Sequence, residues 1–167
     1  AVSIEDLKFK ISDLRFNRGF TLIELAITVG LGVILVVMAV PIYGNLQVSA
    51  QINEQSALIT QTLRSAREQA VAGYNNSAHG VFFRIDPAGA DSYILYQGSS
   101  YATRNIAYDQ TKTMGSALSF QNSSFTLIGA DVDVNYSKTL GMPNNIGTLL
   151  INHSASGQKS ITVNSLG

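Results

Sequence analysis

The chain contains no cysteine and no tryptophan, and only 13% of its 167 residues are charged. The absence of cysteine excludes disulfide bonds, thiolate zinc sites, iron–sulfur clusters and a cysteine nucleophile. Eleven basic residues balance eleven acidic ones, which argues against a general nucleic-acid binder, because such proteins carry a basic excess. Hydrophobic residues make up 46% of the chain, so intrinsic disorder is excluded as well.

The hydrophobic residues are concentrated near the N-terminus. The 29 residues 25–53 contain no charged side chain, and residues 20–42 are almost entirely apolar. As a helix rising ~1.5 Å per residue, this apolar stretch spans roughly 34 Å, enough to cross a bilayer. We therefore predict a single transmembrane helix over residues 20–44. The alternative, a helix buried in a soluble core, would need a larger protein around it.

The residues before the apolar stretch carry a local basic excess. Its four cations, opposed nearby by Asp13, are Lys8, Lys10, Arg15 and Arg18. The positive-inside rule places this cluster in the cytoplasm and sends the rest of the chain across the membrane. A secretory signal peptide would look similar, but no small-x-small cleavage site follows the apolar stretch.

One carboxylate, Glu24, lies at the start of the apolar stretch. A carboxylate in the membrane costs ~2.5–3.5 kcal/mol on insertion scales, so a functional role with a charged partner is expected. The alternative is an interfacial glutamate whose carboxylate reaches the lipid headgroups.

The string Arg18-Gly19-Phe20-Thr21-Leu22-Ile23-Glu24 before an apolar run resembles the class III signal of type IV pilins and pseudopilins. The resemblance implies that a prepilin peptidase removes a leader, residues 1–19, by cutting between Gly19 and Phe20. It also implies N-methylation of Phe20 and an apolar helix that serves first as membrane anchor and then as filament core. Pro41 matches a helix-kinking proline of that family.

Within this resemblance, Glu24 has a natural partner: the new amine of Phe20 in a neighbouring subunit. A buried pair of this kind is better suited to fixing register than to adding stability. Gly30 and Gly32 are spaced G-x-G rather than G-x-x-x-G, so a helix-dimer motif is not indicated. Together with Pro41 they are interpreted as positions where the helix bends.

Residues 45–73 are predicted to continue the helix, to about Ala72, with an amphipathic pattern. Gly73 is expected to terminate it. The apolar positions of this second half form one narrow stripe: Ile52, Ile59, Leu63, Ala66 and Ala70.

Residues 74–167 show the two-residue periodicity of strands and are predicted to form a globular β head. The expected fold class is α+β: a long N-terminal helix packed on a C-terminal antiparallel β-sheet or β-sandwich-like head. The predicted strands are Val81–Asp86, Ser92–Gln97, Arg104–Tyr108, Ala117–Phe120, Phe125–Ile128, Val132–Tyr136, Thr148–His153 and Ser160–Val163.

The head also resembles one branch of the pilin family. Ala66, Arg67 and Ala70 near the helix end, with the Gly-rich hairpin segment Gly147–Val163, are similar to the GspH/FimT-type minor pilins and pseudopilins. The alternative interpretation is that Ala66 and Ala70 are small only because the helix packs against a sheet there. The lack of cysteine departs from many major pilins, whose C-terminal loop is closed by a disulfide.

No catalytic motif, metal site or cofactor-binding motif is identified, so neither enzymatic activity nor a cofactor is predicted. His79 and His153 are far apart in sequence and lack neighbouring ligands at metal spacing. Asp131 and Asp133 alternate on one strand face, which leaves a calcium site conceivable but without further oxygen ligands nearby.

The sequence therefore predicts a structural subunit, minor and tip-associated, of a type IV pilus or a type II secretion pseudopilus. Expected partners are the prepilin peptidase, other pilin subunits through the helix, and the inner membrane before assembly, with the head exported. Alternatives are a DNA-capturing minor pilin of a competence system, a major pilin or pseudopilin, and a plain single-pass anchored protein. DNA capture is disfavoured because the five basic residues after Gly73 are scattered among five aspartates.

Overall fold

A computed structural model describes residues 19–166 of the protein. The part of the predicted leader before Gly19, including the basic cluster, lies outside the described residues. The described residues divide into two units, with the boundary between Tyr43 and Gly44.

The first regular element, α1, is the helix Leu22–Val71. Its first backbone hydrogen bond runs from Leu25 N to the carbonyl oxygen of Thr21, 3.0 Å away. Thr21 Oγ1 also accepts from Glu24 N at 3.2 Å, so Thr21 caps the helix. The sequence prediction placed the start at Phe20, two residues early, because it did not consider the threonine as a cap.

The helix ends as predicted, at a glycine. Gly73 adopts a left-handed conformation with φ of 63°, which glycine reaches without the strain of a Cβ atom. Its N–H donates to the Ala70 carbonyl oxygen at 3.1 Å, and Thr139 N donates to the same oxygen at 2.9 Å. The last turn of the helix is thereby tied to the head.

Five strands form the larger sheet, all antiparallel. They are β1 (His79–Arg84), β2 (Ser92–Gln97), β3 (Gln110–Thr113), β5 (Leu127–Ile128) and β6 (Asp131–Tyr136). Their order across the sheet is β3-β2-β1-β6-β5. The central strand is fixed on both sides, since Val81 lies opposite Leu95 on β2 and Val134 on β6.

Three strands form the smaller sheet, again antiparallel. They are β4 (Leu118–Asn122), β7 (Gly147–His153) and β8 (Gln158–Val163), in the order β4-β7-β8. Phe120 lies opposite Ile151, and Leu149 opposite Ile161, so the apolar positions of the three strands share one face.

The core lies where the second half of α1 meets both sheets. All members of the predicted stripe are buried there: Ile52, Ile59, Leu63, Ala66 and Ala70. They share one apolar cluster with inward side chains of both sheets, among which Phe83 and Phe120 meet edge-on at 5.4 Å between ring centroids. The α+β class with antiparallel sheets is thus confirmed.

One predicted strand, Arg104–Tyr108, is wrong. A 3-10 turn, Ile106–Tyr108, occupies this position, because the Asn105 side chain accepts from Ala107 N at 3.2 Å and so initiates a turn. Arg104 closes the turn by pairing with Asp109 at 2.8 Å. The true strand, β3, comes directly afterwards and was missed because its four exposed polar residues show no hydrophobic alternation.

Candidate membrane and assembly segment

The predicted cleavage position precedes the helix cap. Phe20 is 74% exposed. A Cβ atom added to Gly19 would meet nothing within 4 Å, so no contact within the described chain requires a glycine at this position.

Glu24 occupies the third position of the helix, in its first turn. The positive end of the helix dipole favours a carboxylate there. Thr21 and Glu24 also have the T-x-x-E spacing of a capping box, a local signal that the sequence reasoning overlooked. Within residues 19–166 no cationic side chain lies within 4 Å of the Glu24 carboxylate, so in this part of the chain only the helix terminus stabilises its charge.

The first half of α1 exposes apolar side chains all round its circumference. Every large hydrophobic residue from Leu22 to Leu46 has a relative exposure between 53% and 86%. A helix that is apolar all round needs an apolar surrounding, either lipid or other protein. By length and composition this helix is long and apolar enough to cross a membrane.

One hydroxyl of this segment is satisfied within the helix, whereas one backbone carbonyl oxygen is not. Thr28 Oγ1 donates to the Leu25 carbonyl oxygen at 2.9 Å, which lowers the cost of placing a hydroxyl in an apolar medium. The helix continues through residue 41. Since proline has no N–H, Pro41 leaves the Val37 carbonyl oxygen without its usual intrahelical donor.

Gly30 and Gly32 lie in open space, because an added Cβ atom at either would meet nothing within 4 Å. No contact within the described chain therefore explains them. The bend assigned to them and to Pro41 stays a prediction.

The paired aspartates of the head have structural contacts. Asp133 is 3% exposed; its Oδ1 accepts from the Tyr96 hydroxyl at 2.6 Å and its Oδ2 from Tyr101 N at 3.2 Å. Asp131 Oδ1 accepts from Ile85 N at 2.9 Å. Across residues 19–166 no group of three or more histidine or acidic side chains could hold a metal ion.

The loop that follows β2 is held by Asp133 through Tyr101 N and covers the outer face of the larger sheet. The Tyr101 ring stacks on Phe82 with 3.7 Å between centroids, and the Arg104 guanidinium lies 3.7 Å from the same ring centroid. Because both neighbours cannot occupy one face, Tyr101 lies between them. This second, small apolar cluster also contains Ile94 and Tyr96.

The two histidines are not brought together. His79 is buried on β1, and this burial is the main cause that lowers its pKa below the ordinary value. His153 lies on β7 in the other sheet, where its Nε2 is 3.0 Å from Gln51 Oε1.

The chain matches no family model, no curated protein and no solved structure. Its architecture defines it as an α+β protein whose long N-terminal helix is apolar enough to span a membrane in its first half.

Proposed function

We propose that this protein is a structural subunit, minor and tip-associated, of a type IV pilus or a type II secretion pseudopilus. In this proposal a prepilin peptidase removes residues 1–19 and Phe20 becomes the methylated N-terminus. Before assembly the subunit is anchored in the inner membrane as a single-pass protein with its head exported. It is then incorporated into a filament by packing of its apolar helix.

The observation that carries the proposal is one helix with two different surfaces. From Leu22 to Leu46 its large hydrophobic side chains are exposed on every side, whereas from Ile52 to Ala70 a single stripe is buried in the head. An anchor that must later pack against copies of itself needs the first surface, and a head-bearing stalk needs the second. The G-F-x-x-x-E string ahead of the helix distinguishes this proposal from a plain membrane anchor.

The decisive experiment is mass spectrometry of the N-terminus of the full chain, expressed in membranes with and without a prepilin peptidase. We expect the enzyme to remove residues 1–19, and the variant Gly19→Val to stay uncut. A Cβ atom at Gly19 meets nothing within 4 Å, so loss of cutting would reflect the peptidase rather than misfolding.

Gly44→Val is the matched control, because Gly44 also lies in open space and is distant from the cleavage position. It should be cut like the unaltered chain. A mature protein that keeps residues 1–19 in the presence of an active peptidase would contradict the proposal and support a plain single-pass anchor.

A further inference from the structure

A groove runs between the second half of α1 and strand β8. Its volume is about 470 Å³. The helix contributes Leu63, Arg64 and Arg67, and β8 contributes its last four residues, 160–163. The groove is open to solvent rather than enclosed, and it is lined along the helix from Ser56 to Glu68, so an extended chain could lie in it.

One wall of the groove is an open sheet edge. β8 pairs with β7 and with no other strand of residues 19–166, so one side of its backbone has no strand partner. Its side chains alternate: Ile161 and Val163 are buried, whereas Ser160 and Thr162 are exposed. An edge of this kind presents unpaired N–H and C=O groups and can accept an additional strand.

The opposite wall is basic. Arg64 and Arg67 line the groove together with one acid, Glu68. A second pocket shares Arg64 with the groove, and Lys159 on β8 is among the residues that line it. Among the described residues no carboxylate oxygen lies within 4 Å of either arginine, so their charges are not neutralised by an ion pair within this part of the chain.

Arg67 is held in place by the protein. Its Nε donates to the Gly141 carbonyl oxygen at 3.2 Å, which occupies one of the five guanidinium protons. Tyr136 lines the same groove; burial raises its pKa to about 12, and the charge of Arg67 opposes this rise. A positioned guanidinium of this kind is well suited to bind a carboxylate.

We propose that this groove binds an extended acidic peptide segment of a partner protein, which adds as a strand to the free edge of β8. Backbone hydrogen bonds to β8 would supply affinity, and carboxylates spaced two residues apart would meet Arg64 and Arg67. The basic wall favours acidic over neutral or basic segments. A nucleic acid is the less suitable occupant, because the sole aromatic lining residue, Tyr136, is buried and offers no exposed ring for base stacking.

The test uses the full chain in detergent micelles and a fluorescent peptide of alternating valine and glutamate. Fluorescence anisotropy should show saturable binding that weakens as salt is raised, since exposed charges are screened. The same peptide with lysine in place of glutamate should bind at least about tenfold more weakly, equivalent to ~1.4 kcal/mol.

Strand addition is distinguished from simple charge attraction by two N-methylated peptides of identical charge. One carries methyl groups on the odd backbone nitrogens and the other on the even ones. In an antiparallel or parallel strand only alternate N–H groups face the neighbouring strand. One methylated peptide should therefore lose binding while the other retains it; equal binding by both would overturn the proposal.

The variant Arg64→Glu should weaken the acidic peptide at least about tenfold, a loss of ~1.4 kcal/mol. Arg64 is exposed, so this change should leave the tyrosine near-ultraviolet circular dichroism unaltered. Arg84→Glu, at an exposed position on β1 in the other sheet, is the matched control and should bind normally. Equal loss in both variants, or displacement of the peptide by an oligothymidylate, would refute the proposed site.

Discussion

The buried carboxylate of Asp133 allows a quantitative test of how the head is held together. It accepts from the Tyr96 hydroxyl at 2.6 Å and from Tyr101 N at 3.2 Å. Tyr96 is 1% exposed, so its hydroxyl has little access to water if this acceptor is removed. Burial and the neighbouring carboxylate of Asp133 both raise the pKa of Tyr96, as expected for a hydroxyl that keeps its proton to donate it.

Asp133→Ala would leave two donors without an acceptor. At about 1–3 kcal/mol for each donor left unsatisfied, the free energy of unfolding should fall by roughly 2–6 kcal/mol. Tyr96→Phe removes the charge-assisted hydrogen bond to Asp133 and should cost about 1.5–3 kcal/mol. Asn135 Nδ2 also loses the Tyr96 hydroxyl as an acceptor, but this adds little because it keeps the Gly98 carbonyl oxygen at 2.8 Å.

The assay is urea unfolding of the full chain in detergent, followed by the near-ultraviolet circular dichroism of the tyrosines. Because the two side chains share one bond, the double variant should cost less than the sum of the single variants, by about 1.5–3 kcal/mol. Asp131→Ala is the control; this partly exposed carboxylate accepts from Ile85 N alone and should cost only about 1 kcal/mol.

Two results would refute this reasoning. Additivity of Asp133→Ala and Tyr96→Phe within about 0.5 kcal/mol would show that the two groups are not coupled. A calcium-dependent rise in stability that disappears in Asp133→Ala would show that the carboxylate is a metal ligand, because a ligand stabilises only the form that binds it.

Two further predictions concern single titratable groups. For assembly, Glu24→Ala should reduce incorporation into filaments, measured as the subunit fraction in sheared filaments. The control Glu54→Ala removes an exposed carboxylate later in the same helix and should not reduce it. Equal incorporation of both variants would show that Glu24 does not fix the register. For stability, burial lowers the pKa of His79 below 6.5, so the unfolded chain binds protons more readily and the free energy of unfolding should decrease as the pH falls through about 6.5. His79→Gln should flatten this decrease in a urea-unfolding series and His153→Gln should not; an unchanged slope in His79→Gln would contradict the assignment.

Local patterns in the sequence predicted the head well where one face of an element is buried. The stripe from Ile52 to Ala70 has the helical period, and all its members are buried. β2 was predicted at its observed bounds, Ser92–Gln97, because it is hydrophobic and flanked by turn residues. Burial imposes a period on the sequence, so these elements could be identified without knowledge of their partners.

The features that were missed depend on contacts between residues distant in sequence. Asp133 meets Tyr96 across 37 positions and the Tyr101 backbone across 32, and no spacing rule predicts either pair. β3 is polar because only its backbone contributes to the sheet, where it pairs with β2. The calcium hypothesis for Asp131 and Asp133 arose from the same limitation. Their alternation indicated a shared strand face, but it did not reveal the N–H and O–H groups that donate to the two carboxylates.

Glu24 illustrates how a local and an intermolecular role can be separated. Glu24 stands three residues after the cap Thr21, and at this spacing a side-chain oxygen can accept from the N–H of the cap, which glutamine allows as well as glutamate. As a partner for the amine of a neighbouring Phe20 it needs a negative charge, which glutamine lacks. Glu24→Gln should therefore keep the helix start intact in the isolated subunit, by amide hydrogen exchange at Leu25, yet fail in assembly as Glu24→Ala does. Normal assembly of Glu24→Gln would reduce the role of this carboxylate to capping.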